Sequence, residues 1–203
     1  PGLVLAQFSP QNIDRLVSFY RACLRSGRDL IIDLYAAAVL RATGRDTIPQ
    51  AEWDRVRVYL PRSQRRRVIW EKAFERTDAV RSHRIYPDEI AERADELVLL
   101  FRGSMIREVE AMGCLAGARA VWSMWPGYLK ERSGESVLRF FQVHDIPFVV
   151  HHASGHAHVP DLQRLVASLR PDRVVPIHTF AAERFEEFFP RVEMRGDGEW
   201  WEV

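Results

Sequence analysis

The sequence predicts an α/β protein, a parallel sheet flanked by helices, and three observations predict it. Strand-like and helix-like segments alternate along the whole chain, which is how a parallel sheet is threaded, because each crossover back to the same edge requires a helix. Leu97-Val98-Leu99-Leu100-Phe101 is a continuous apolar run of the kind buried on both faces of such a sheet. His152-Ala153-Ser154-Gly155-His156 follows the apolar run Phe148-Val149-Val150, and Pro176-Ile177-His178-Thr179 ends a later one, so two histidine motifs fall at the carboxyl ends of two successive strands. Open α/β sheets bind ligands at such ends, where loops converge and helix N-termini point free N–H groups into a crevice.

Taken in order, Leu3 to Phe8 reads as a strand. Ser9-Pro10 then supplies an N-cap and a proline at the first helical position, so a helix is expected from Pro10 to about Ser26, stopped by Gly27. Leu30 to Leu34 is a short apolar strand, Tyr35 to Ala42 a helix ended by Gly44, and Val56 to Leu60 a strand closed by Pro61. A long charged helix is expected over roughly Ser63 to Thr77 and a short one near Asp88 to Arg93. After the Leu97 to Phe101 strand come helix Met105 to Met112, strand Ala118 to Met124, a loop from Trp125 to Gly134 and helix Glu135 to His144. Strand Phe148 to His151, helix Asp161 to Leu169, strand Val174 to Ile177, helix Ala181 to Phe189 and a hairpin over Val192 to Val203, turning at Asp197-Gly198, complete the prediction.

Composition narrows the class. With 203 residues and 47% hydrophobic content the chain is long enough for one good core or two small ones. Its most apolar stretch, Leu30 to Leu40, is interrupted by Asp33 and is shorter than the roughly 20 residues that cross a bilayer, so no membrane partner is expected. Cys23 and Cys114 suggest no disulfide framework, and with no secretory segment at the start the expected compartment is the cytoplasm. The opening Pro1-Gly2, without methionine, reads as the start of a domain taken from a longer protein. A net charge of +1 gives no whole-molecule polyanion signal, yet Lys72 and Lys130 are the only lysines, so arginine carries nearly all the positive charge and suits bidentate phosphate contacts. The densest basic run, Arg62-Ser63-Gln64-Arg65-Arg66-Arg67, falls at a helix start, where it reads either as a solvated face or as a nucleic-acid patch. Gly-x-Gly-x-x-Gly, Gly-Lys-Ser/Thr and Gly-x-Ser-x-Gly motifs are missing, which removes support for dinucleotide, nucleoside-triphosphate and serine-hydrolase functions.

Ser9-Pro10-Gln11-Asn12-Ile13-Asp14-Arg15 after a strand, then Gly27-Arg28-Asp29-Leu30-Ile31-Ile32-Asp33, then the Ser-Gly-His and Pro-x-His motifs, together resemble the β-CASP branch of the metallo-β-lactamase-fold hydrolases, which includes ribonuclease J and RNA 3′-end cleavage nucleases. The resemblance implies a β-CASP domain over residues 1–148, with residues 149–203 forming the C-terminal segment of the metallo-β-lactamase-fold domain into which that domain is inserted. It implies a metal-dependent phosphodiesterase or ribonuclease in which His178 ligates one of two zinc ions and His156 acts catalytically on the scissile phosphate. His152, Ser154 and Gly155 would hold a substrate phosphate through an imidazole, a hydroxyl and turn amides, and Ser123, at a strand end followed by Pro126-Gly127, falls where the family carries a serine-rich strand end.

The chain departs from the family pattern in three places. It has no His-x-His-x-Asp-His run, so most of the metal ligands are absent and the isolated chain is expected to be inactive. Only one serine remains near Pro126-Gly127, joined by Trp122, Trp125 and Tyr128, aromatics of the kind that stacks bases. Gly103-Ser104 keeps only the start of a Gly-Ser-Gln-Gly-Glu turn. Two functions are therefore carried forward. One is a hydrolase portion with RNA or another phosphodiester as partner, completed by the missing N-terminal part and open to homo-oligomerisation. The other is a catalytically incompetent module that binds phosphate or nucleic acid through the Ser-Gly-His turn.

Overall fold

The computed structural model describes residues 2–153 and 155–202 and separates them into two units, one ending at Ala153 and one occupying the remainder. The first unit holds a six-stranded, wholly parallel sheet: β1 (Val4–Gln7), β2 (Asp29–Asp33), β3 (Val56–Tyr59), β4 (Leu97–Leu100), β5 (Arg119–Trp122) and β6 (Phe148–Val150), in the spatial order β3-β2-β4-β1-β5-β6. Leu5 pairs with Leu99 on one side and Ala120 on the other, which makes β1 central. The α/β fold class expected from the sequence is the one observed.

Strand period 2 sorts the side chains into two cores. Ala6, Leu30, Ile32, Val56, Val58, Val98 and Leu100 face one, where α1 (Ile13–Ser26) packs through Leu16, Tyr20 and Cys23 and α2 (Leu34–Ala42) through Ala36, Ala37 and Leu40. Leu3, Leu5, Ile31, Leu97, Leu99 and Phe101 face the other, against α5 (Pro87–Glu92), α6 (Ile106–Ala111) and α7 (Arg132–Val143), which contribute Ile90, Val109, Val137, Phe140 and Phe141. Leu97 to Leu100 is fully buried, as an apolar strand covered on both faces must be.

Several element ends differ from expectation, each for a local reason. Helix α1 begins at Ile13, because Asn12 is the better cap: its side chain accepts from the Arg15 amide at 3.0 Å, while Ser9 and Pro10 form the turn before it. The charged helix expected from Ser63 to Thr77 is two pieces, α3 (Arg62–Glu71) and α4 (Glu75–Asp78). Lys72 takes a left-handed conformation between them and Ala73 bonds back to the Val68 carbonyl, a closed C-cap that tucks Ala73 and Val80 inward. The loop expected from Trp125 to Gly134 contains a 3₁₀ turn at Pro126–Lys130, and α7 starts within its final residues.

The unit boundary falls after Ala153. Strand β6 pairs with β5 from Phe148↔Ala120 to Val150↔Trp122, so residues 149–153 lie with the first unit's sheet. The second unit contains α8 (Val159–Leu169), a 3₁₀ helix (Ala182–Glu187) and a single parallel bridge between Val174 and Val192. The strand expected over Val174 to Ile177 stops at that bridge because Pro176 has no N–H to donate and His178 turns left-handed. The helix expected over Ala181 to Phe189 is the shorter 3₁₀ segment, with Phe189 buried just beyond its end. The C-terminal hairpin is corrected likewise: the Gly196–Glu199 turn forms, but Val192 pairs with Val174 and not across the turn.

Candidate functional site

Because all six strands run the same way, the residues that follow them gather at one edge: Phe8 after β1, Tyr35 after β2, Arg102 after β4, Ser123 after β5, and His151 and His152 after β6. Arg15, in the first turn of α1, joins three of these positions. Its Nη1 donates to the Ser123 carbonyl and also lies 3.2 Å from Ser123 Oγ and 3.1 Å from His152 Nδ1, while Nη2 donates to the Ala153 carbonyl at 2.8 Å. A guanidinium has only donors, so His152 Nδ1 accepts, and a neutral ring then carries its proton on Nε2, available to an acceptor outside. Ser123 is 4% exposed and its hydroxyl donates to the His151 carbonyl at 2.6 Å, which ties the ends of β5 and β6 together. The structure therefore brings the sequence-nominated Ser123 and His152 to one cluster, through a residue that the sequence reading had not nominated. The available signal was the Asn12-x-x-Arg15 spacing, which places an arginine one turn into a capped helix at the ligand edge.

In the second unit, the His156 and His178 rings stand with centroids 6.0 Å apart and planes inclined by 52°. His178 has φ of 57°, a conformation that costs a side-chain-bearing residue free energy and that clusters at functional positions. Ser154 lies outside the described residues. Gly155 has neither a left-handed backbone nor any atom within 4 Å of where a Cβ would stand, so packing within the protein does not demand glycine there. His158 sits at the start of α8, where its carbonyl accepts from the Asp161 and Leu162 amides. Among the described residues no group of three or more His, Cys, Asp or Glu side chains could hold a metal ion.

The aromatic residues divide. Trp122 is buried in the second core, whereas Trp125 and Tyr128 are exposed and meet edge to face at 5.5 Å. At the far side of the same sheet edge, Glu108 takes the place of a helix cap for α3, accepting from the Arg62 amide and from the Tyr59 hydroxyl at 2.7 Å. Burial, and then that hydrogen bond, push the Tyr59 phenol well above its ordinary value.

Residues 148–185 match a protein family described as the Zn-dependent metallo-hydrolase RNA specificity domain. The matched segment contains β6, the His152-Ala153-Ser154-Gly155-His156 sequence, α8 and His178, and the match supports kinship of this segment with the metallo-β-lactamase superfamily. Among solved structures, one from Enterococcus faecalis V583, titled a protein of unknown function, is similar at 21% identity with a TM-score of 0.64. That likeness covers 96% of this chain and shows the fold. The chain spans 40% of that protein's length. No curated protein matches the sequence.

Proposed function

We propose that this chain is the β-CASP domain, residues 1–148, and the C-terminal segment, residues 149–203, of a zinc-dependent, ribonuclease J-like hydrolase that cleaves RNA in the cytoplasm. The observation that carries this reading is the His156–His178 pair, two imidazoles 6.0 Å apart inside the segment similar to an RNA specificity domain. His178 is assigned as a metal ligand and His156 as the group that acts on the scissile phosphate or leaving oxygen. His152, through its outward Nε2–H, holds a substrate phosphate together with the Ser154 hydroxyl and the Gly155 amide. Ser123 fixes the backbone of His151, the residue before His152.

Zinc in such enzymes polarises the phosphodiester and supplies hydroxide at neutral pH. A zinc site takes at least three protein ligands, and among the described residues no group of three or more His, Cys, Asp or Glu side chains could hold a metal ion. On this reading the remaining ligands would come from a part of a longer protein that precedes this segment.

The test uses that longer protein. His178→Ala should lower both zinc content and cleavage, whereas His156→Ala should keep its zinc and slow single-turnover cleavage by roughly 10²–10⁴-fold, the range for a positioned acid–base or charge-stabilising group. His83→Ala, in the 3₁₀ turn at Arg81–His83, should change neither. Equal zinc loss from the first two variants would reject the division of roles. The incomplete donor set also suits a non-catalytic phosphate-binding module, and a longer protein that retains RNA without ever cleaving it would favour that reading.

A further inference from the structure

The sheet changes winding direction at its centre. Strand β1 leads to α1 on one face, and its neighbour β4 leads to α6 on the other, so the two chains diverge at their carboxyl ends and leave a crevice. Crevices at such switch points are where open α/β sheets take ligands. Here it is a cavity of about 350 Å³ bordered by Gln7, Gln11, Tyr35, Arg102 and Met124 among others. That size is at the lower end for small-ligand sites, about 300–1,000 Å³.

Its lining is built and only partly satisfied. Asp33, 1% exposed, ends β2; its carboxylate caps α2 through the Ala36 amide at 2.7 Å, accepts from Gln64 Nε2 at 2.8 Å and grips Arg102 Nε at 2.5 Å. The Arg102 guanidinium is thereby fixed 5.4 Å from the Tyr35 ring centroid, and the Tyr35 hydroxyl accepts from Gln11 Nε2 at 2.9 Å. Two polar atoms of the lining residues remain without a partner and hidden from water: Arg102 Nη2, a donor, and Gln7 Oε1, an acceptor. Each such atom forfeits the hydrogen bond it had in water.

We propose that this cavity receives one nucleobase of an RNA strand, a subsite that deepens, and rests on, the RNA-hydrolase reading above. A phosphate would answer Arg102 but would set oxygen against the Gln7 oxygen, and a hydrocarbon would answer neither. A base edge carries a carbonyl or ring-nitrogen acceptor beside an N–H donor, which answers both once the Arg102 and Gln7 side-chain ends turn from their buried positions toward the cavity, and its flat face suits the Tyr35 ring. The cavity belongs entirely to the first unit and contains neither His156 nor His178.

The experiment titrates the 203-residue chain with uridine, guanosine, their 5′-monophosphates and ribose 5-phosphate, following backbone and side-chain amide resonances. Both nucleosides and both nucleotides should bind, shifting Gln7, Gln11 and Tyr35, and ribose 5-phosphate should not. Tyr35→Ala and Gln7→Leu should each weaken nucleoside binding at least tenfold, with Gln7→Met as a second, more conservative variant should Gln7→Leu fail to fold. Absence of nucleoside binding at millimolar concentration, equal binding of ribose 5-phosphate, or affinity unaltered in the variants would each overturn the proposal. None of these outcomes bears on cleavage by the longer protein. Conversely, its His178→Ala form should lose cleavage yet keep nucleoside binding, so failure of one reading is distinguishable from failure of the other.

Discussion

Arg15 anchors the ligand edge from a helix that begins far away in sequence, with partners 108, 137 and 138 residues distant. A lysine at that position carries its three donors on one nitrogen, without the planar fork whose two Nη atoms reach Ser123, His152 and Ala153 together. Arg15→Lys is expected to cost up to about 1.5–3 kcal/mol in urea unfolding, the range for hydrogen bonds to a charged group, and to speed amide exchange at His151 to Ala153. Unchanged exchange there would deny Arg15 its anchoring role. The same distances explain why the residue was not legible as a site: nothing local distinguishes an arginine that reaches three loops from one that lies in solvent. Two buried acids set a different residue-scale expectation. Burial foremost, with Asp29 adding and Arg28 opposing, raises the Cys23 thiol to about 12, and the Tyr59 phenol is raised as well. Both groups are neutral when protonated, so the native state keeps protons that the unfolded chain releases. Their contribution is fully present below the unfolded thiol value of about 8.5 and is lost as pH rises toward 12, at about 1.4 kcal/mol per unit for each group in its window. Stability measured from pH 8 to 11.5 should fall accordingly, and Cys23→Ala should flatten the lower part of that slope.

At the scale of elements, α7 is placed by an absence of side chain. A Cβ on Gly134 would stand 2.1 Å from the Tyr128 carbonyl oxygen and 2.6 Å from Leu129 Cα, both backbone of the preceding 3₁₀ turn. Gly134→Ala must push helix and turn apart, with an expected loss of about 2 kcal/mol or more in chemical denaturation. Gly155→Ala meets nothing and should stay within about 0.5 kcal/mol of the parent chain. If it nevertheless impairs RNA cleavage by the longer protein, the glycine serves the approach of a ligand. The strands and most helices of the first unit were legible because each carries an apolar face at its own period, whether Leu97 to Leu100 or the Leu16-Tyr20-Cys23 stripe. Val174 to Ile177 and Ala181 to Phe189 carried similar apolar residues yet formed only a bridge and a 3₁₀ segment, since a strand needs a partner beside it and a short helix needs packing beneath it.

Across the whole molecule, burial is distributed unevenly. The first unit owns both hydrophobic cores, while α8 buries none of its residues and, among the described residues of the second unit, Phe189 is the one large apolar side chain buried. Amides of residues 155–202 are therefore expected to exchange by local opening, well below the protection of β1, β2 and β4, and a 1–153 fragment should unfold at the denaturant midpoint of the full chain. A lower midpoint for the fragment would show that the second unit contributes to global stability. The histidine motifs were legible through their strand-end spacing. The switch-point cavity was not, although Asp33, a carboxylate inside the most apolar stretch, holds Arg102 at its border.

The central place of β1 carries a consequence for how the molecule is made. Its only neighbours are β4 and β5, so a ribosome must deliver Trp122 before β1 has hydrogen-bonding partners on both edges. At roughly 5–20 residues per second that wait is about 6 to 25 seconds. Throughout it Leu3 and Leu5 stand without much of the core that buries them, which makes this stretch of the nascent chain a client for chaperones that hold extended apolar chain, and predicts that ribosome-stalled intermediates ending before β5 remain open to protease at β1.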